Sequence, residues 1–323
     1  MRLVIFVFLG ILFLNCKEVQ SESSVNNAPE STAGVSQEFK ARKISLFGQI
    51  RPGALPANLE MEVNQALERL EFVEPDTSLV RGTDLVIGLN GENGPVAIPI
   101  KYLSAHEVAN IKVEEEALLV TWCPIVGTAR VFDREVEGKT TFFDFGRAMR
   151  GNNLLFVDRN TNTVWNQLSG EGIAGQLEGK ELTIVPSIQS TWDHWEQQHP
   201  DTRLLINRDN SNPVWPMFIE EVPYYNTWEP GDGPPGSYTR HNTGNLGFGI
   251  SLKGKSVFFP LAKLQSQDSP LEYTLGESTM IIHYSKEGMT AWAENLDGQV
   301  LPGSIAYDWA WKTFYPATVV YKD

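Results

Sequence analysis

The chain is poor in cysteine, histidine and positive charge. Its 323 residues include two cysteines, Cys16 and Cys123, and five histidines. Lys and Arg number 26 against 40 Asp and Glu, a net charge of −14. Nucleic acid is therefore not expected as a partner, because phosphate binding needs a basic face and none is visible. Beyond the first residues there is no long apolar run, which excludes a multi-span membrane protein. The catalytic signatures G-x-S-x-G and H-E-x-x-H are also missing. What the chain does have is a hydrophobic content of 41%. That suits a globular protein of one or two domains and not a disordered one.

The start reads Met1-Arg2, then LVIFVFLGILFLN, then Cys16. One positive charge, an apolar stretch and a cysteine form an export signal. LFLNC resembles a relaxed lipobox, with Asn15 where a small residue is usual. The expectation is a signal peptide over 1–15 and a lipid on Cys16, anchoring an exported protein to a membrane in the periplasm or at the cell surface. Residues 16–38 are rich in Ser, Asn and Glu and read as a flexible tether. With Cys16 lipidated, Cys123 has no intramolecular disulfide partner, so its thiol is either buried and inert or kept for chemistry.

Further along, Leu59, Val63, Ala66, Leu67 and Leu70 have helical spacing and predict a helix over 59–72. The pattern then turns β-rich. Strands are expected over 84–89, 96–100, 117–123, 128–132, 140–145, 154–158, 164–167 and 182–185. Hairpin turns are expected at Asn90–Gly94, at Glu137-Gly138 and at 159–162. A short helix fits 191–198. Residues 209–245 carry prolines, glycines and aromatics without periodicity and read as a long connection.

The chain also matches itself at an offset of 161 residues. Gly88 falls on Gly249, Pro99 on Pro260, Leu103 on Leu264 and Gly127 on Gly288. After a shorter stretch in the second copy the ends match again, with Trp195 and Thr202 beside Trp311 and Thr318. The expected fold is α+β, β-rich, with few short helices, built as two related β-rich units. The first unit covers 39–208 with an extra segment at 144–190, and the second, shorter one covers 246–323. Shared glycines are read as turns or close backbone approaches. Positions that differ point to chemistry in the first copy: His106 faces Gln267, Cys123 faces Tyr284, and Arg130 faces Ala291.

Cys123 ends an apolar strand, and His106 lies one strand upstream. A Cys–His pair can lower a thiol pKa for nucleophilic attack or offer soft ligands to copper or zinc, with His194 and His199 as further donors. The bland alternative is a buried cysteine and a packed histidine. Two other patterns are decoys. G-x-G-x-x-G at 170–175 precedes a strand and not a helix, so it reads as a glycine-rich turn. Asp158-Arg-Asn160-Thr-Asn162 resembles a calcium loop but lacks its glycine and its bidentate glutamate.

LVTWCPIVGTARVFDR (119–134), GNNLLFVDRNTNTVWNQLSGEGIAGQLEGKEL (151–182), TWDHWEQQHPDTRLL (191–205), HEVAN (106–110) and the ending WKTFYPATVVY resemble a bacterial family, domain of unknown function 3179. The resemblance runs from about residue 78 to the end. It implies no activity, and it is consistent with export. Many members carry C-P-x-C-G, whereas here Val126 replaces the second cysteine, so a dithiol role falls away. His106, Cys123, Asp158, Arg159, Trp165, Gln167 and Gly170 match the family pattern. Three readings stay open. The first is a module binding a small ligand or protein partner in a pocket lined by residues such as Arg130, Asp158, Arg159, Trp165 and Gln167. The second is a transferase or hydrolase with Cys123 and His106 as catalytic pair. The third is an extracytoplasmic copper or zinc site at the same two residues.

Overall fold

Alternating apolar residues punctuated by tight turns give almost entirely hairpins. The computed structural model describes residues 41–47, 58–103, 106–151, 153–207 and 246–322. The signal peptide, Cys16, the tether and the 209–245 connection lie outside the described residues. So do residues 104 and 105, just ahead of His106.

Among the described residues the strands form five main sheets and one two-stranded ribbon, and the helices are few and short. The sheets make a propeller-like, five-blade arrangement rather than two separate units. A six-stranded sheet is built around the Phe143–Arg150 and Asn153–Asp158 strands. A five-stranded sheet centres on Leu85–Gly91 and Gly94–Pro99, which pair across the Gly91–Gly94 turn. One four-stranded sheet holds Val108–Val113, Glu116–Cys123 and Thr128–Asp133 in antiparallel register, with Val108 opposite Thr121 and Thr121 opposite Arg130. A second four-stranded sheet contains Leu246–Leu252, Lys255–Pro260, Ser304–Tyr307 and Val319–Val320. Leu271–Leu275, Ser278–Ser285 and Thr290–Glu294 complete the set as a three-stranded sheet.

The helix expected over 59–72 is not formed. Asn58–Asn64 is a strand that pairs along seven residues with Ala41–Phe47, and Glu71–Val73 is a second strand. Leu59, Met61 and Val63 also alternate at period two, and strand pairing decides between the two periodicities. The other expectations fare better. The Glu137-Gly138 turn joins Glu135–Val136 to Lys139–Thr140, with both residues at positive φ as a type I′ hairpin requires. The short helix is present as α1 (Trp192–Gln198). Two more short helices follow, α2 (Leu261–Leu264) and α3 (Asp308–Phe314). Gly170 and Gly175 adopt positive φ in a turn region, and no helix follows them.

Two glycine–tryptophan contacts recur. Trp195 of α1 covers Gly88 and donates its indole N–H to Thr202 Oγ1 at 2.9 Å. Trp311 of α3 covers Gly249 and donates to Thr318 Oγ1 at 3.0 Å. In each case a helix lies across a hairpin so closely that a Cβ at the glycine would overlap the indole ring. Rings and backbone in a close-packed interior cannot yield without strain. Gly88→Ala and Gly249→Ala should each cost about 2–4 kcal/mol. Urea unfolding checks this, and a loss below about 0.5 kcal/mol at either site would mean the indoles move aside freely.

Candidate functional site

The strands that pair at Thr121–Arg130 end near Cys123 and Thr128, which are also partners in the ladder. Thr121, Cys123, Thr128 and Arg130 therefore share one face of the sheet. The adjoining six-stranded sheet brings Gln167 to that face. Gln167 Nε2 donates to Thr128 O at 2.9 Å, while its Oε1 accepts from Asn153 Nδ2 at 2.6 Å. Asn153 Oδ1 in turn accepts from Asn166 Nδ2 at 3.0 Å and from Leu168 N at 2.8 Å. All of these groups are buried, and satisfied networks of this kind rigidify an interior.

Arg130 carries the largest electrostatic consequence. The residue is 2% exposed. Its Nη1 donates to Pro302 O at 3.1 Å and to Gly303 O at 3.2 Å, and its guanidinium carbon lies 6.0 Å from the Trp311 ring centre. Nε is buried without a hydrogen-bond partner, and no acceptor for Nη2 occurs among the described residues. No carboxylate among the described residues makes an ion pair with it. Burial lowers its pKa, and the nearby Tyr315 phenol opposes that shift. Tyr315 stacks on Trp311 with ring centres 4.2 Å apart. Burial raises the Tyr315 pKa, Arg130 lowers it, and the exposed Glu181 raises it. An unpaired buried cation costs several kcal/mol, so the fold tolerates here a charge it does not itself neutralise.

Cys123 and His106 occupy the same end of the sheet. Val108 pairs with Thr121, and Trp122 N donates to Glu107 O at 2.9 Å. His106 therefore stands at the strand end that carries Cys123. Their titration opposes the catalytic reading. Cys123 is 1% exposed, and burial first, then the nearby Glu107, pushes its thiol up to about 12. Burial lowers His106 to about 4. A nucleophilic cysteine needs its pKa shifted the other way. Glu107 was not singled out by its residue pattern, although it lies within HEVAN. Part of the residue reaches solvent, but its carboxyl is enclosed, and burial raises it to about 8. All three groups are thus uncharged at neutral pH.

Asp158, Arg159 and Trp165 belong elsewhere. Asp158 lies five residues along the strand from Asn153, about 16 Å at strand rise. Its carboxylate accepts from Thr161 N at 2.6 Å, Thr161 Oγ1 at 2.6 Å, Thr163 N at 3.1 Å and Trp165 Nε1 at 3.0 Å. These bonds lock the 159–162 hairpin turn and leave the carboxylate occupied. Arg159 pairs with Asp144 at 2.6 Å and with Glu68. His199 stacks on Trp195 at 3.9 Å, and His194 packs against Trp292 at 6.0 Å. No group of three or more His, Cys, Asp or Glu arranged to hold a metal occurs among the described residues.

The model of a protein family of unknown function, DUF3179, matches residues 66–315. The chain belongs to that family. The match takes in His106, Cys123, Arg130, Gln167 and Tyr315, so the DUF3179 region contains the whole of this junction. No curated protein and no solved structure matches the chain.

Two pH effects follow for this DUF3179 member. Glu107 has a folded pKa of about 8 against an ordinary 4.5. Its stabilising contribution is full below 4.5 and is lost as pH rises toward 8. His106, lowered from 6.5 to about 4, acts oppositely, and its contribution is lost as pH falls through that window. The two trends offset each other between about 4.5 and 6.5. Stability should therefore decline most clearly from pH 6.5 to 8, and Glu107→Gln should flatten that decline in urea-unfolding profiles. An unchanged slope in the variant would show that the carboxyl is ionised in the native state. Native Cys123 should also resist iodoacetamide at pH 8 and react once the chain is unfolded in urea. Rapid alkylation of the folded chain would contradict the buried, neutral thiol.

Proposed function

We propose that the protein is an exported, lipid-anchored binding module. Its ligand would sit at the uncommitted edge of Arg130, in the junction that Gln167 and Thr128 brace through their own hydrogen bonds. The observation that carries this reading is Arg130, a buried guanidinium with two nitrogens, Nε and Nη2, uncommitted and no carboxylate paired to it among the described residues. Such an uncompensated charge costs stability, and binding sites are where folds characteristically tolerate that cost. The sequence around Cys16 supports the anchor, with the membrane as partner through the lipid. Asp158, Arg159 and Trp165 drop out of the pocket, because their polar groups are committed to the hairpin and its ion pairs.

Neither a Cys123–His106 enzyme nor a copper or zinc site draws support from the junction. Burial holds the thiol in its protonated form, which disfavours both a nucleophile and a thiolate ligand, and no third His, Cys, Asp or Glu arranged to share a metal with these two occurs among the described residues. We also propose that two related units underlie the five sheets. The matched Gly88–Trp195–Thr202 and Gly249–Trp311–Thr318 contacts support this. So do the parallel pairings of Arg203–Ile206 with Gly94–Pro99 and of Val319–Val320 with Lys255–Pro260.

Thermal unfolding of the full chain against a panel of neutral and charged small molecules, with copper and zinc included, tests the binding reading. A ligand at a hundred times its Kd stabilises by about 2.7 kcal/mol, so at least one small molecule should raise the midpoint in a saturable way. Cys123→Ser should respond as the wild type does. Stoichiometric copper or zinc that disappears in Cys123→Ser, with no small molecule stabilising, would overturn the binding reading in favour of a metal site.

A further inference from the structure

The geometry of Arg130 specifies more than the presence of a ligand. A guanidinium offers five N–H donors in one plane, and its Nε–H and Nη2–H point in parallel along one edge. In Arg130, Nη1 is fixed on the carbonyls of Pro302 and Gly303, which turns the opposite Nε–Nη2 edge away from the backbone it grips. That edge has no acceptor among the described residues. Arg134 makes a useful contrast. It too is buried with an unpartnered Nε, but its Nη1 and Nη2 donate to Thr141 O and Ile111 O. In Arg134 only Nε is left without a bond, whereas in Arg130 the neighbouring Nε and Nη2 both are, which leaves a fork.

We propose that the Nε–Nη2 edge of Arg130 receives the carboxylate of a small organic ligand. This rests on the binding reading above and names its chemical class. Two parallel N–H donors match the two oxygens of a carboxylate, and such bidentate pairs are the strong, directional ones. Among the described residues the site brings one positive charge and no second cation, which balances a carboxylate monoanion and leaves a phosphate dianion half neutralised. Trp311 and Tyr315, stacked beside the guanidinium, offer an aromatic wall to the organic part, and the Tyr315 hydroxyl offers a further hydrogen bond. The one carboxylate that acts on Tyr315 is Glu181, which is exposed. It would repel an anion at long range without occupying the fork.

The test is proton–nitrogen NMR of the guanidinium groups in the full chain, with the Arg130 Nε–H signal assigned from its loss in Arg130→Lys. Acetate, benzoate, phosphate and chloride are titrated at constant ionic strength. The Arg130 Nε–H should move downfield and saturate with acetate, and with benzoate at several-fold lower concentration because of the aromatic wall. Tyr315→Phe should weaken acetate several-fold. Arg130→Lys, which keeps the charge but not the fork, should weaken benzoate at least tenfold when followed by tryptophan fluorescence. Saturation by phosphate and not by carboxylates would overturn the assigned class. If no anion moves the signal while a neutral molecule still stabilises both wild type and Arg130→Lys, the carboxylate site fails and the binding module stands. If nothing in either experiment binds, both readings fail, and Arg130 is a brace between strands.

Discussion

One seam holds the candidate site together. The Thr128–Asp133 strand meets the segment 302–305 through a short row of hydrogen bonds. Thr128 Oγ1 donates to Ile305 O at 3.0 Å, Ser304 Oγ donates to Ala129 O at 2.9 Å, and Arg130 Nη1 grips Pro302 and Gly303. Each bond alone contributes about 1 kcal/mol. Their importance lies in what they fix. They set the guanidinium at a depth where water cannot neutralise it, and they bring Trp311 and Tyr315 from the far end of the chain to its side. Gly303 belongs to the same constraint, since a Cβ there would overlap the Phe248 ring.

Polarity around the seam is distributed unevenly. At the strand end that carries Cys123, three ionisable groups have lost their charge: the thiol at about 12, Glu107 at about 8 and His106 at about 4. On the neighbouring strand, two residues beyond Cys123's partner Thr128, Arg130 keeps its charge and lacks a counter-charge among the described residues. A hydrophobic core silences titratable groups where it can, and an arginine is the one side chain that cannot be silenced in this way.

Much of this was legible in the residues. Alternation and turn chemistry located most strands and the Glu137-Gly138 and 159–162 hairpins. The aligned glycines were read as turns or close backbone approaches, but that Trp195 and Trp311 cover Gly88 and Gly249 shows only in the structure. Leu59–Phe72 was misread because its apolar residues satisfy periods of both two and nearly four, and only pairing with Ala41–Phe47 separates them. Asp158 and Arg159 carried the right residue types for a pocket, but nothing in their spacing could show that nearby partners already satisfy them. Tyr315 was out of reach for a different reason. Arg130 meets its carbonyl partners across 172 residues, and no local pattern encodes a contact of that span. Glu107 could have been found as an acid beside His106 at the end of an apolar stretch.

The central claim is that the open edge of Arg130 belongs to a ligand and not to the chain. A crystal structure of the full chain grown with 4-bromobenzoate tests it most directly, because its unreactive aryl bromine can be located by anomalous scattering. The prediction is a bromine peak within one benzoate length of the Nε–Nη2 edge of Arg130, with the carboxylate bridging both nitrogens. A carboxylate from the chain itself closing that fork, with bromine elsewhere or absent, would contradict it.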